Sequence, residues 1–420
     1  MSLTFVAEKA VMKLPHYAPL IALTRGGHLE SVHFGLLAVV DARGRVLLSR
    51  GDPEVKVYTR SSLKPLQALP LILTGAYEMF GLTPRELAVA AASHSGEPEH
   101  IETVRGMLAR GGLSEELLVC GPQWPISLSA TLELARLGQQ ETPPPIYNNC
   151  SGKHAGMLLV CKQMGWPLEG YHLPEHPLQQ TIQGLIEELL GVGKEELVIG
   201  VDGCGLANYA LPLSSIGRLF ALLAEALASG EEKPPMAGEV RDEVWSALCQ
   251  VAGAMTAHPE MVGGKEGRFD TAFMEAMKGR GIAKTGAEGL QGVGVVVPEE
   301  AKEQVAEWLW EHQRREKPAA IEVEVGGISA ALEEQLSLVR LDGEARGVGV
   351  VVKVADGDQR RRARYFTALD LMVRAGLVAE ETVNGHPGLS KFYDRRVLNT
   401  RSWEVGEVVS LWMEDKKFMG

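Results

Sequence analysis

The segment Arg60-Ser61-Ser62-Leu63-Lys64-Pro65 places Ser61 and Lys64 three residues apart at an expected helix start. Positions i and i+3 share one helix face, so the amine can reach the hydroxyl. A serine hydroxyl needs a base to become a nucleophile, and a desolvated lysine is neutral enough to serve. A helix N-terminus also favours developing negative charge. Alone, the plainer reading is a capping serine followed by a solvated lysine.

Lys284-Thr285-Gly286-Ala287-Glu288-Gly289 supplies a second pattern. K-T-G on a strand, following S-x-x-K on a helix, is similar to the pattern of penicillin-binding proteins and β-lactamases. The order along this chain agrees, and the pair is much less a matter of chance than either motif alone. Ala92-Ser93-His94-Ser95-Gly96-Glu97 lies between the two, where that pattern keeps a further serine loop. His94 could act as a general acid or a substrate hydrogen-bond donor; a lone loop histidine is more often neither.

Asn148-Asn149-Cys150-Ser151-Gly152-Lys153-His154 and Asp202-Gly203-Cys204-Gly205 hold the sulfur chemistry. Cys150, Lys153 and His154 occupy one face of an expected helix. Two thiolates and a nitrogen could hold zinc with one position open for water. The spacing is not C-x-x-C, and two buried small hydrophobes fit it as well. Gly263-Gly264-Lys265-Glu266-Gly267 lacks the Walker spacing, and Gly292-x-Gly294 does not extend to a dinucleotide fingerprint.

These residues need elements to position them. The pattern predicts a β-hairpin over residues 33–50 and a helix from Ser62 to Thr74, then helices at Pro98–Arg110, Ser114–Leu118, Ser129–Leu137, 151–165 and Gln179–Leu190. A short buried strand is expected at Leu197–Val201. Helices follow at Ile216–Ala228, Glu239–Ala254 and Ala272–Lys278. The last third turns strand-like at Val293–Val297, Ile321–Val325, Leu336–Arg340 and Val348–Val354, interrupted by a charged helix, Glu299–Arg315. A helix at Arg361–Ala375 and a strand near Val405–Leu411 close the chain. Strands at both ends and helices between predict an α+β fold. Its sheet-containing region is residues 1–60 with 281–420, and its largely helical region is 61–280. Gly-Val-Gly-Val-Val-Val occurs at 292–297 and again at 347–352, which reads as two similar buried strands.

The chain has 420 residues, of which 45% are hydrophobic and 23% charged, enough for a sizeable core. Its 42 Lys and Arg against 54 Asp and Glu leave a formal net charge of −12. Such a chain repels phosphate backbones, so no nucleic-acid partner is expected. The densest basic run, Arg360-Arg361-Arg362-Ala363-Arg364, is expected to be a solvated helix face. No stretch approaches the ~20 apolar residues of a membrane span, and five scattered cysteines fit reduced thiols. A cytoplasmic protein without membrane partners is the expectation.

Taken together the motifs resemble the rhizobial-type (class 3) L-asparaginases. The resemblance runs through Arg60-Ser61-Ser62-Leu63-Lys64, Ser93-His94-Ser95-Gly96-Glu97, Asn149-Cys150-Ser151-Gly152-Lys153-His154 and Asp202-Gly203-Cys204-Gly205. It continues through Gly267-Arg268-Phe269-Asp270-Thr271, Lys284-Thr285-Gly286-Ala287-Glu288-Gly289 and Lys353-Val354-Ala355-Asp356-Gly357, and ends at Asn399 and Val405-Gly406-Glu407. It implies a β-lactamase- and glutaminase-like fold, a homodimer, and two catalytic serine–lysine tandems, Ser61 with Lys64 and Ser93 with Lys284. It implies zinc on Cys150, Lys153 and Cys204. It also implies that Arg60, His94 and Asp202 hold the charged ends of the amino-acid substrate or order the site. The expected reaction is hydrolysis of L-asparagine to L-aspartate and ammonia. A serine glutaminase, a penicillin-binding or β-lactamase-like acylase, and a non-catalytic amino-acid or zinc binder on the same scaffold are the alternatives. One departure stands out: residues 290–346 intervene between K-T-G-A-E-G and the K-V-x-D-G strand, as an inserted lobe or a changed strand order.

Overall fold

The computed structural model describes residues 15–314 and 340–413. Eight strands form one antiparallel sheet: β1 (Ala18–Arg25), β2 (His28–Asp41), β3 (Val46–Arg50), β7 (Gly281–Thr285), β8 (Leu290–Val296), β9 (Gly347–Val354), β10 (Arg396–Leu398) and β11 (Glu404–Ser410). Their order is β10-β11-β1-β2-β9-β8-β7, with β3 also paired to β2. The fold is thus mixed α+β, with its large sheet drawn from both ends of the chain. A second, small sheet has the order β4-β6-β5, from β4 (Lys56–Tyr58), β5 (Val198–Val201) and β6 (Ala207–Pro212).

The repeated hexapeptide has a packing reason. β8 and β9 are neighbours, in a register that sets Gly294 opposite Gly349. The helix Leu213–Ser229 lies directly on them. A methyl group at Gly292 would enter the Phe220 ring, one at Gly294 would strike the Phe220 carbonyl, and one at Gly349 would strike the Gly217 carbonyl. The missing side chains let helix and sheet approach closely, while the intervening valines fill the core. Gly349→Ala should therefore destabilise the fold by about 1–3 kcal/mol through overpacking. A urea unfolding midpoint equal to wild type would contradict this.

The structure departs from the sequence reading at several places. The expected helix from Ser62 to Thr74 is divided into a 3-10 turn, Arg60–Leu63, and helices Lys64–Ala68 and Pro70–Leu73. Pro65 and Pro70 each lack the N–H that a continuous helix needs. The strand at Val198–Val201 is not buried: Val198, Ile199 and Val201 are exposed because β5 is an edge strand paired only with β6. In the basic run Arg360 and Arg361 are exposed, but Arg364 is buried and hydrogen-bonded to the Gly286 carbonyl. The interval 290–346 does not alter the strand order, since β7, β8 and β9 are successive neighbours. The additional residues connect β8 to β9 and include the helix Lys302–Arg314. The strands expected at Ile321–Val325 and Leu336–Arg340 fall almost wholly outside the described residues. Among the described residues no helix is long and apolar enough to cross a membrane.

Candidate active site

Five segments converge where the β7 end of the large sheet meets the helices. They are the turn Arg60–Leu63 with the helix behind it, the loop after helix Pro84–Ala90, the start of helix Ser151–Met164, the β5–β6 turn, and β7. The hairpin turn after K-T-G sits on the S-x-x-K turn: a methyl group at Gly286 would touch the Thr59 carbonyl.

Lys64 is fully buried. Its Nζ lies 2.9 Å from Ser93 Oγ, 2.5 Å from the Ala92 carbonyl and 3.2 Å from Cys150 Sγ. Protonated, the amine donates to all three. Neutral, it donates to two and accepts from the Ser93 hydroxyl. A proton can therefore pass between Ser93 and Lys64 without any heavy atom moving. Burial pushes the lysine's proton affinity down, although the Cys150 charge opposes this.

Ser61 is partly exposed, and its hydroxyl has no hydrogen-bond partner among the described residues. The structure thus pairs Lys64 by hydrogen bond with Ser93, while Ser61 stands three residues away with a free hydroxyl. Arg60, just before it, adopts a left-handed backbone with φ of 47°. This costly conformation for a non-glycine residue is held by its own N–H donating to Asn208 Oδ1 at 3.1 Å. Its guanidinium meets Asp202 Oδ1 at 2.6 Å on the half-open side of the site. Burial pushes the Asp202 carboxyl up, but the Lys153 and Arg60 charges outweigh it and hold the group low.

Lys284 is also fully buried, on β7, with Nζ donating to the Thr285 carbonyl at 2.9 Å and in ion-pair range of Asp270 Oδ2 at 3.6 Å. Burial, aided by the Lys64 and Arg268 charges and opposed by Asp270, pushes it down to about 7. An amine so placed is partly neutral near neutral pH and can carry a proton either way.

His94 is completely buried, so it lies behind the site and not on its surface. The Gly96 N–H donates to Nδ1 at 3.1 Å. That leaves the proton on Nε2, which faces Ser151 Oγ at 2.9 Å. Both nitrogens are thus committed: Nδ1 closes a turn within the Ser93 loop, and Nε2 ties that loop to the helix Ser151–Met164.

Cys150, Lys153 and Cys204 do come together. Lys153 Nζ lies 3.2 Å from Cys204 Sγ, and Cys204 Sγ lies 3.8 Å from Asp202 Oδ2. Hydrogen bonding from Cys204, against burial, and then the Lys64 and Lys153 charges hold the Cys150 thiol well below its ordinary range, while hydrogen bonding with Cys150 and burial push Cys204 up. Burial pushes Lys153 down, but the sulfurs and Asp202 outweigh it and keep the amine charged. His154 is not part of this group; its Nδ1 faces the Tyr171 hydroxyl at 2.7 Å. Among the described residues no three His, Cys, Asp or Glu side chains form a metal cluster. Two sulfurs and an amine are nonetheless donors that zinc accepts, once Lys153 has lost its proton.

Two groups that the sequence reading gives no role hold the site. Arg268 donates to the Ser93 carbonyl at 2.8 Å, and Asp270 sits against Lys284. Both belong to Gly267-Arg268-Phe269-Asp270-Thr271, a segment of the resemblance to which no site role is attached, where an arginine and an acid flank one aromatic residue at a helix start.

A family model described as L-asparaginase II matches residues 21–321, well over half of the chain. No curated protein matches it.

Proposed function

Because the chain belongs to the L-asparaginase II family, we propose that it hydrolyses the side-chain amide of L-asparagine to L-aspartate and ammonia through a seryl ester. The observation that carries the reading is the proton-handling pair, Lys64 on Ser93 and Lys284 pushed to about 7, beside Ser61 with its hydroxyl free. In this reading the sheet region (1–60 with 281–420) contributes Lys284 and Arg60, and the helical region 61–280 contributes the other groups.

Ser61 Oγ attacks the amide carbon, and its proton passes to Lys64. The C–N bond of the tetrahedral intermediate then breaks, and nitrogen leaves as ammonia after taking a proton through Ser93 and the lysines. Water attacks the ester carbon, gives a proton to the same lysine system and releases aspartate and the Ser61 hydroxyl. Arg60 offers its charge to the substrate carboxylate and Asp202 to the ammonium. His94 keeps the Ser93 loop in place. Ammonia release from asparagine and glutamine, with nitrocefin as a third substrate, tests the reading. Turnover of asparagine supports it. Glutamine turnover alone would reassign the substrate, nitrocefin turnover alone would reassign the enzyme class, and no turnover of any would make the protein a binder.

Cys150, Lys153 and Cys204 would hold zinc, which would supply a fixed positive charge against the polar ends of the substrate. The serine–lysine groups already provide nucleophile and base, so the metal has a binding role in this reading. Chelation should raise KM several-fold with little loss of kcat at saturation. Metal analysis showing zinc far below one per chain after supplementation would remove the site. For Cys204→Ser, an unchanged KM with a collapsed kcat would move the metal into the chemical step.

A further inference from the structure

Arg268 and Asp270 stand two residues apart where the helix Phe269–Met277 begins, and their side chains go to opposite sides of the site. Arg268 reaches the Ser93 loop. One of its terminal nitrogens donates to the Ser93 carbonyl at 2.8 Å, and the other meets Ser95 Oγ at 2.9 Å and the Gly263 carbonyl at 2.8 Å. Asp270 reaches β7. Its Oδ2 accepts from the Thr285 N–H at 3.0 Å and faces Lys284 Nζ at 3.6 Å, and its Oδ1 accepts from the Thr285 hydroxyl at 2.8 Å. The carboxylate is 1% exposed, and a carboxylate in the first turn of a helix is favoured by the helix dipole.

Ser93 and Lys284 come from elements far apart in the chain. We propose that Arg268 and Asp270 act as a yoke, two positioning residues that hold the Ser93 loop and the Lys284 strand at a fixed separation, with Asp270 governing the charge of Lys284. The groups facing Lys284 are Asp270 and Arg268 from the helix start, Lys64 from the S-x-x-K helix and Cys150 from the start of helix Ser151–Met164. Lys64 and Arg268 oppose a proton on Lys284, and Asp270 and Cys150 favour it. Burial pushes the amine down, and Asp270, at 3.6 Å from Nζ, is the carboxylate in ion-pair range that opposes it. The proposal rests on Lys284 handling protons in the reaction proposed above.

Asp270→Asn preserves size and the hydrogen bond from the Thr285 N–H but removes the charge. Loss of an opposite charge at this range lowers a lysine midpoint by about one unit or more. Lysine-selective NMR titration of the full-length protein reads this midpoint without substrate, with Lys284→Met identifying the resonance. The expected result is a Lys284 midpoint lower by that amount in Asp270→Asn, together with an equal displacement of the acid limb of kcat/KM. A folded Asp270→Asn variant with an unmoved Lys284 midpoint overturns the yoke, because a purely structural carboxylate would change stability alone. Arg268→Lys keeps the positive charge but loses the fork. It should lower kcat roughly ten- to a hundredfold with the acid limb in place. If Asp270→Asn does not fold, this variant decides, and wild-type kcat in it overturns the proposal. A shifted midpoint in a chain that hydrolyses no amide would leave the yoke standing and refute the proposed reaction instead.

Discussion

Ser61→Ala should lower ammonia release from asparagine by about 10³-fold or more, as removal of a covalent nucleophile does. The fold should be untouched, since the Ser61 hydroxyl has no partner to lose among the described residues. Ser93→Ala is the informative contrast. It removes the hydroxyl 2.9 Å from Lys64 Nζ and breaks the proton path, yet leaves the attacking group in place. Its expected loss is smaller, on the order of 10²-fold. Rapid quenching followed by intact-protein mass measurement separates the two roles. Ser93→Ala should still accumulate the aspartyl ester, and Ser61→Ala should show none. If Ser61→Ala retains a large share of wild-type turnover, the nucleophile is Ser93, which already has a base in contact.

Lys284→Met should reduce kcat by about 10²- to 10⁴-fold, the usual contribution of a positioned acid–base group. Methionine fills the buried volume, and Asp270 keeps its two hydrogen bonds from Thr285. Circular dichroism should therefore report a folded chain. In the wild type, kcat/KM should rise as pH climbs through about 7, where Lys284 gives up its proton, and then level off. The sign follows from burial: a desolvated ammonium loses its proton at a lower pH than the ~10.4 of a free lysine. The limb belongs to the coupled group of Lys284, Lys64 and their neighbours. In Lys284→Met it should disappear or move. A rate flat from mildly acidic to strongly alkaline pH would remove lysine as the base.

The glycines of the repeated hexapeptide illustrate how far pattern alone carries. Two valine-rich runs announced buried strands, and they are β8 and β9. What the glycines face, a helix resting almost on the sheet backbone, comes from residues 213–229 and has no mark in the hexapeptide itself. The helix Pro98–Arg110 lies within its expected bounds because a proline opens it and two glycines follow it. By contrast β1 is absent from the expected strands, although Gly26-Gly27, both at positive φ, form a two-residue hairpin turn between it and β2. It is a strand because β2 and β11 pair with it on either side.

The candidate site divides in the same way. Residue type and motif, with the family resemblance they carry, single out Ser61, Lys64, Ser93, Cys150, Lys153, Cys204 and Lys284, because reactive groups must come from a small set of side chains and the motifs keep them local. Spacing along one helix turn also suggested that Lys64 serves Ser61. The folded chain also puts Lys64 Nζ on Ser93 and Cys150, 29 and 86 residues further along, contacts that spacing does not mark. It turns His94 inward to Ser151 and sets Asp270 against Lys284. Sequence determined the chemical inventory, the strands at the two ends and the helical middle, since local propensity and hydrophobic period depend on neighbours within a few residues. Tertiary structure decided which hydroxyl each amine meets and how strongly each holds its proton. Those depend on desolvation and on charges within a few ångströms, contributed by segments that the chain brings together only when it folds.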